Sequence, residues 1–312
     1  MDLREPAETA VRQCLALDAD ESCAVVTDDD RAAIGEALYA VASEVTDDAV
    51  YLQYPPGTQH GAEPPAPVAA ALRDADAFLA PTTKSISHTR ARSRACEAGA
   101  RGATLPGITE EVFVAGLDAD YEAIAAHCRD VEAQVAGADE IRVTSPQGTD
   151  ITLEPGDREW RLDTGVVHDP GAFSNLPAGE TFVSPQTATG TYVIDWYPRE
   201  GRTAVDIAVE VEDGSVTAVD DQAISAALAT AAEEVGDAAY NLAELGIGAN
   251  TAVTDLVGSV LLDEKAAGTV HLAIGDDAGF GGDTDTPIHL DGILTEPTVY
   301  ADGERVTLPG EE

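Results

Sequence analysis

Two hydrophobic patterns divide the chain. Up to about residue 136, short continuous apolar runs alternate with stretches of helical period. Residues 23–28 and 49–54 read as buried strands, with a helix predicted between them over 29–43. A third strand is expected at 77–81, then a helix start at Ser87, His88 and Thr89, a helix running to Ala98 and Gly99 as its C′ residue. A fourth strand follows at 101–105. Alternation of this kind implies an α/β, Rossmann-like domain over 1–136, its parallel sheet covered by helices. Neither a GxGxxG run nor a P-loop stands at a strand end, so nucleotide binding is not expected.

From about Ala138 the pattern turns β-rich, with strands predicted at 140–145, 150–153, 191–196 and 203–212. Asp213-Gly214 and Asp302-Gly303 have the chemistry of tight hairpin turns. One long helix, opened by Asp220-Asp221 and spanning about 223–240, interrupts the strands. Residues 137–312 therefore read as a second, α+β domain. At 312 residues, two domains are also the natural division of the chain.

Composition changes the picture in one respect. The chain carries 58 acidic against 17 basic residues, a formal charge of -41, and its lysines are Lys84 and Lys265 alone. Such a field repels phosphate backbones and anionic lipids, so neither nucleic acid nor a membrane surface is an expected partner. Acids spread along the whole length match a protein adapted to molar salt, where the Debye length falls to about 3 Å. Cys14, Cys23, Cys96 and Cys128 show no CxxC spacing and read as buried thiols of a cytoplasmic protein. The start of the chain lacks the pattern of a signal peptide, and no apolar stretch approaches the roughly 20 residues that span a bilayer.

The sharpest chemical signal is Pro287-Ile288-His289-Leu290-Asp291. In an extended strand, residues two apart point to the same face, so His289 and Asp291 converge. His271 lies in an apolar strand over 268–275, where a polar ring needs a buried partner. Glu244 interrupts the apolar, glycine-containing run 241–248, Glu180 stands just before an apolar strand, and Glu264 lies seven residues ahead of His271. Each has an ordinary structural explanation. Together, at the edges of apolar elements in one half of the chain, they are most economically explained by a shared cation. His88 is read as part of a helix cap, and His60, His127 and His168 have no readable partner.

Asn175-Leu-Pro-Ala-Gly-Glu180, Asn241-Leu-Ala-Glu-Leu-Gly-Ile-Gly248, Asp263-Glu-Lys-Ala-Ala-Gly-Thr-Val-His271 and Ile288-His-Leu-Asp291 occur in the order of the thermophilic metallo-aminopeptidases, the leucyl aminopeptidase or aminopeptidase T/S family, which the chain resembles. Lys84–Thr89, Gly99–Arg101 and Leu105–Gly107 extend the resemblance into the first half. It implies a homodimeric aminopeptidase with an α/β N-terminal domain and two divalent ions (zinc, cobalt or manganese) in the C-terminal domain. The implied ligands are Glu180, Glu244, Glu264, His271, His289 and Asp291. By the same resemblance, Glu180 receives the proton of a metal-activated water that releases N-terminal residues from peptides. The chain departs from the family in being shorter and in lacking its active-site tyrosine, near whose place Phe280 offers a ring without a hydroxyl.

A second reading uses fewer of these residues. His271, His289 and Asp291 form a two-His, one-carboxylate set that leaves positions on iron(II) open for dioxygen and substrate. The iron-dependent dihydroxypyridine dioxygenases, similar to the aminopeptidases in fold and nearer this length, make a ring-cleaving oxygenase the alternative; the surplus of carboxylates weighs against it. A third reading, a metal-binding protein without turnover, follows from the missing tyrosine.

Overall fold

Strands Cys23–Asp28, Ala77–Thr82 and Arg101–Pro106 are buried along almost their whole length, a pattern stable only in a sheet covered on both faces. In the computed structural model, which describes residues 1–199, 202–279 and 281–311, they lie in a five-stranded parallel sheet. Its order is Ala49–Tyr54, Cys23–Asp28, Ala77–Thr82, Arg101–Pro106 and Phe173–Asn175. Helices Ala32–Val45, Ala66–Asp74 and Arg90–Glu97 connect the first four strands. The first of these begins later than the pattern predicts. The Asp28 side chain accepts from the Asp30 amide and caps a 3-10 turn, Asp29–Arg31, ahead of it. Thr89 caps the Arg90–Glu97 helix by accepting from the Arg92 amide, and Gly99, at φ +105°, follows its end as expected. Ser87 is no cap; its hydroxyl meets those of Thr104 and Ser85 and the side-chain oxygen of Asn175.

The chain forms two compact units, Met1–Ala125 with Asp163–Ala178, and Ala126–Leu162 with Gly179–Glu312. The pattern alone placed one break at 136/137, whereas the chain leaves the first unit after Ala125 and returns to it over Asp163–Ala178. The return supplies the fifth parallel strand, Phe173–Asn175, which is too short and polar to announce itself.

Most strands of the second unit belong to a 12-stranded sheet whose paired neighbours in this unit run antiparallel. Across its centre lie Thr187–Arg199, His289–Leu294, Val270–Gly275, Leu242–Gly248 and Glu180–Val183, in that order. Tyr192, Ile194, Leu245, Leu272 and Ile274 belong to the core packed on this sheet. Both hairpin turns form as predicted, with positive φ at Asp213, Gly214, Asp302 and Gly303, the type I′ requirement. The long helix is α-helical only over Gln222–Val235. Gly236, at φ +67°, ends it, and a 3-10 turn carries the chain to Tyr240. Cys14, Cys23 and Cys128 are buried and Cys96 is half-buried. Among the described residues no helix is long and apolar enough to cross a membrane.

Candidate metal centre

Register brings the acid and imidazole side chains to one face of the central strands. Glu244 is opposite Ala273, which is opposite Asp291; Gly246 is opposite His271; Gly275 is opposite His289; and Glu180 is opposite Gly248. Cross-strand partners share a face, and so do residues two apart, so Glu180, Glu244, His271, His289 and Asp291 project together. Small residues between them leave the room. A Cβ on Gly246 would lie 2.0 Å from Cε1 of His271, so only glycine lets that ring lie across its neighbour. Glu264 arrives from the turn after the short helix Val260–Asp263. That turn is anchored by buried Asp263, whose carboxylate accepts from Trp196 Nε1 and the amides of Val257 and Gly258.

All six residues singled out in the sequence meet in one cluster. Three overlapping triads, Glu180/Glu244/His271, Glu244/His289/Asp291 and Glu264/His271/Asp291, each bring their donor atoms within 4.8 Å of one another. Glu244 spans the imidazoles, with Oε1 3.4 Å from His271 Nε2 and Oε2 3.3 Å from His289 Nε2. His289 Nε2 is also 3.2 Å from Asp291 Oδ1, while its Nδ1 lies 2.8 Å from the Asp276 carbonyl. That carbonyl can only accept, so it assigns the proton to Nδ1 and leaves Nε2 as a donor atom for a metal.

The sequence passed over Lys265. Its buried ammonium contacts Glu180 Oε1 and lies 2.8 Å from Glu264 Oε1. The one signal was a lysine beside a glutamate in a chain with only two lysines. Also unforeseen was buried Asp277, which accepts from Ser184 Oγ, Asn241 Nδ2 and the Thr284 amide and faces Arg158, fixing the loop that presents the Asp276 carbonyl. Phe280 lies outside the described residues.

The charges are strongly interdependent. Burial pushes the Glu180 carboxyl up to about 8 against the pull of Lys265 and His271. Burial also dominates at Glu264 and raises it, Lys265 notwithstanding. At Glu244 burial is outweighed by hydrogen bonds from His271 and His289, which hold it well below the usual carboxylate range, and Asp291 is lowered likewise, chiefly by His289. Burial disfavours both imidazolium forms, yet the surrounding carboxylates raise His271 to about 9 and His289 to about 12. Clustered carboxylates favour the protonated form of each neighbouring imidazole. Glu180 Oε2 is a buried carboxylate oxygen without a hydrogen-bond partner, 3.5 Å from His271 Nε2. The donor set, imidazole nitrogens with carboxylate oxygens and no thiolate, suits a divalent first-row metal.

The structure of 2,5-dihydroxypyridine dioxygenase from Pseudomonas putida KT2440 superposes with a TM-score of 0.79 at 19% identity, covering 99% of this chain and 96% of that one. AmpT from Thermus thermophilus superposes with a TM-score of 0.67, also at 19% identity, covering 98% and 99%. At that identity each shows a shared fold. No curated protein sequence matches the chain. Residues 8–311 match the family described as NicX, 2,5-dihydroxypyridine 5,6-dioxygenase. This match overturns the expected aminopeptidase, and with it the protease and hydrolase assignment and the role of Glu180 as base for a hydrolytic water. Resemblance to the aminopeptidases stands as a shared fold. With almost its whole length matched, the chain belongs to the 2,5-dihydroxypyridine 5,6-dioxygenase family, a family of enzymes.

Proposed function

We propose that the protein is a mononuclear iron(II) dioxygenase that opens the ring of a dihydroxypyridine or a closely related hydroxylated N-heteroaromatic. The observation that carries this reading is the projection of His271, His289 and Asp291 from adjacent strands onto one face, a two-His, one-carboxylate set in a chain of this family. Bound iron(II) would supply open coordination positions at which dioxygen and a hydroxylated substrate meet.

The protein's own residues hold and tune that site. Asp276 fixes the His289 tautomer through its carbonyl, Gly246 gives the His271 ring its place, and Glu244 sets the spacing between the imidazoles. The clustered carboxylates suit a divalent ion and a substrate carrying a ring N–H or hydroxyl donor. Glu180 Oε2, a buried carboxylate oxygen with no hydrogen-bond partner, is the atom placed to accept a hydroxyl proton from the substrate. The substrate is thus a small molecule, and neither nucleic acid nor membrane is required.

The test is oxygen uptake by anaerobically reconstituted protein given 2,5-dihydroxypyridine. Iron(II) is expected to support uptake stoichiometric with ring loss. Zinc is expected to give none, a chelator to abolish it, and His289→Ala or Asp291→Ala to lower it by about 10³ in line with removal of an essential group. Full activity in either variant would sink the proposal.

A further inference from the structure

Four carboxylates and two imidazoles gather in one cluster, and its three overlapping triads leave open how many ions it admits. Lys265 pairs with two of the carboxylates. Its side chain is 6% exposed, and its ammonium contacts Glu180 Oε1 and lies 2.8 Å from Glu264 Oε1. No triad contains both of these glutamates, and the triad of Glu244, His289 and Asp291 contains neither.

We propose that Lys265 is a built-in cation that holds the Glu180–Glu264 part of the cluster and restricts the centre to a single metal ion. The inference rests on the metal site described under Proposed function and adds the residue that sets its nuclearity. Charge supports it. With neutral imidazoles, four carboxylates and one ammonium leave three negative charges, which a single divalent ion reduces to one. A second divalent ion would make the cluster net positive and would have to sit against the ammonium in a site with little water to screen the repulsion.

Local structure makes the ammonium a fixed component. Lys265 donates its amide to the Leu262 carbonyl, and its own carbonyl accepts from the Asn250 amide. Ala267 donates to the Asn250 carbonyl, closing the turn against the chain after the Glu244 strand. Gly248 permits the close approach, because a Cβ there would stand 2.1 Å from the Ala266 carbonyl oxygen. The turn is also held from behind by Asp263, so the lysine stem enters from an anchored backbone. Glu180 and Glu264 then serve as partners of an internal charge instead of ligands.

The experiment titrates manganese(II) into chelator-stripped, full-length protein in molar salt, with bound metal counted by elemental analysis and coupling read by electron paramagnetic resonance. Unsubstituted protein is expected to bind one equivalent with an uncoupled signal, and Lys265→Arg to do the same. Lys265→Met, which keeps the stem and removes the charge, is expected to bind two equivalents with an exchange-coupled signal. Lys265→Gln provides the same readout if the methionine variant does not fold. Two equivalents in the unsubstituted protein, or one in a folded Met or Gln variant, would overturn the role of Lys265 while leaving the metal centre standing. Zero equivalents in the unsubstituted protein would remove the metal centre itself, and this proposal with it.

Discussion

Gly246 shows how much of the site depends on an absent side chain. The His271 ring lies where a Cβ would be, 2.0 Å from Cε1 and 2.2 Å from Nε2. Gly246→Ala should therefore displace the ring, costing about 1–3 kcal/mol of stability as overpacking does and weakening metal binding by at least about tenfold, the scale of a disturbed ligand orientation. Metal titration beside thermal melting would show both. His271 also predicts a pH dependence. In the metal-free protein its pKa is raised to about 9. The stabilisation it contributes is complete below the unfolded value of about 6.5 and is lost as pH rises through 9. Metal must displace that proton, so affinity should rise with pH over the same window, up to about tenfold per unit for each proton released. Melting with chelator and with metal between pH 6.5 and 9 should show the two trends diverging, and parallel curves would contradict the assignment.

At the scale of elements, the centre is a matter of strand register and one clasped loop. Asp277 ties the loop between the His271 and His289 strands to Ser184, Asn241 and the Thr284 amide, which keeps the Asp276 carbonyl against the His289 ring. Asp277→Ala is expected to cost about 3 kcal/mol, as loss of a buried charged acceptor does, and to speed metal release because the His289 tautomer is no longer held. Stopped-flow chelation would measure the second effect. These elements differ in how plainly the sequence announces them. His289 and Asp291 were readable because alternation in a strand is local, and the Asp-Gly turns because their backbone geometry admits few residues. Glu180, Glu244 and Glu264 stood out singly as carboxylates at the edges of apolar elements, but their place in one ligand set came only with the motif resemblance, since their convergence depends on pairings across long stretches of chain. That resemblance led to the wrong reaction, because motifs shared by two families of one fold record the scaffold more than the chemistry. Lys265 was overlooked because a lysine among glutamates reads as a solvated turn until the turn is seen to be buried.

For the whole molecule, the formal charge of -41 and the scarcity of lysine describe a surface that repels itself in dilute buffer. Raising sodium chloride from about 0.1 to 2 M, where the Debye length falls from about 10 Å to a few Å, should raise the melting temperature. A flat or falling curve would contradict the halophilic reading. Metal binding should respond less, since the buried acids of the cluster are screened little by bulk salt.

The return of Asp163–Ala178 to the first unit has a consequence for synthesis. The Arg101–Pro106 strand waits for its partner Phe173–Asn175 over roughly 70 residues. At ribosomal speeds of about 5–20 residues per second, the nascent sheet shows a bare edge for several seconds. At high ionic strength, charge offers such an edge little protection from its neighbours. A truncation at the apparent break near 136 would make that exposure permanent, so an expression boundary for the first unit belongs after Ala178, where its last strand has already been made.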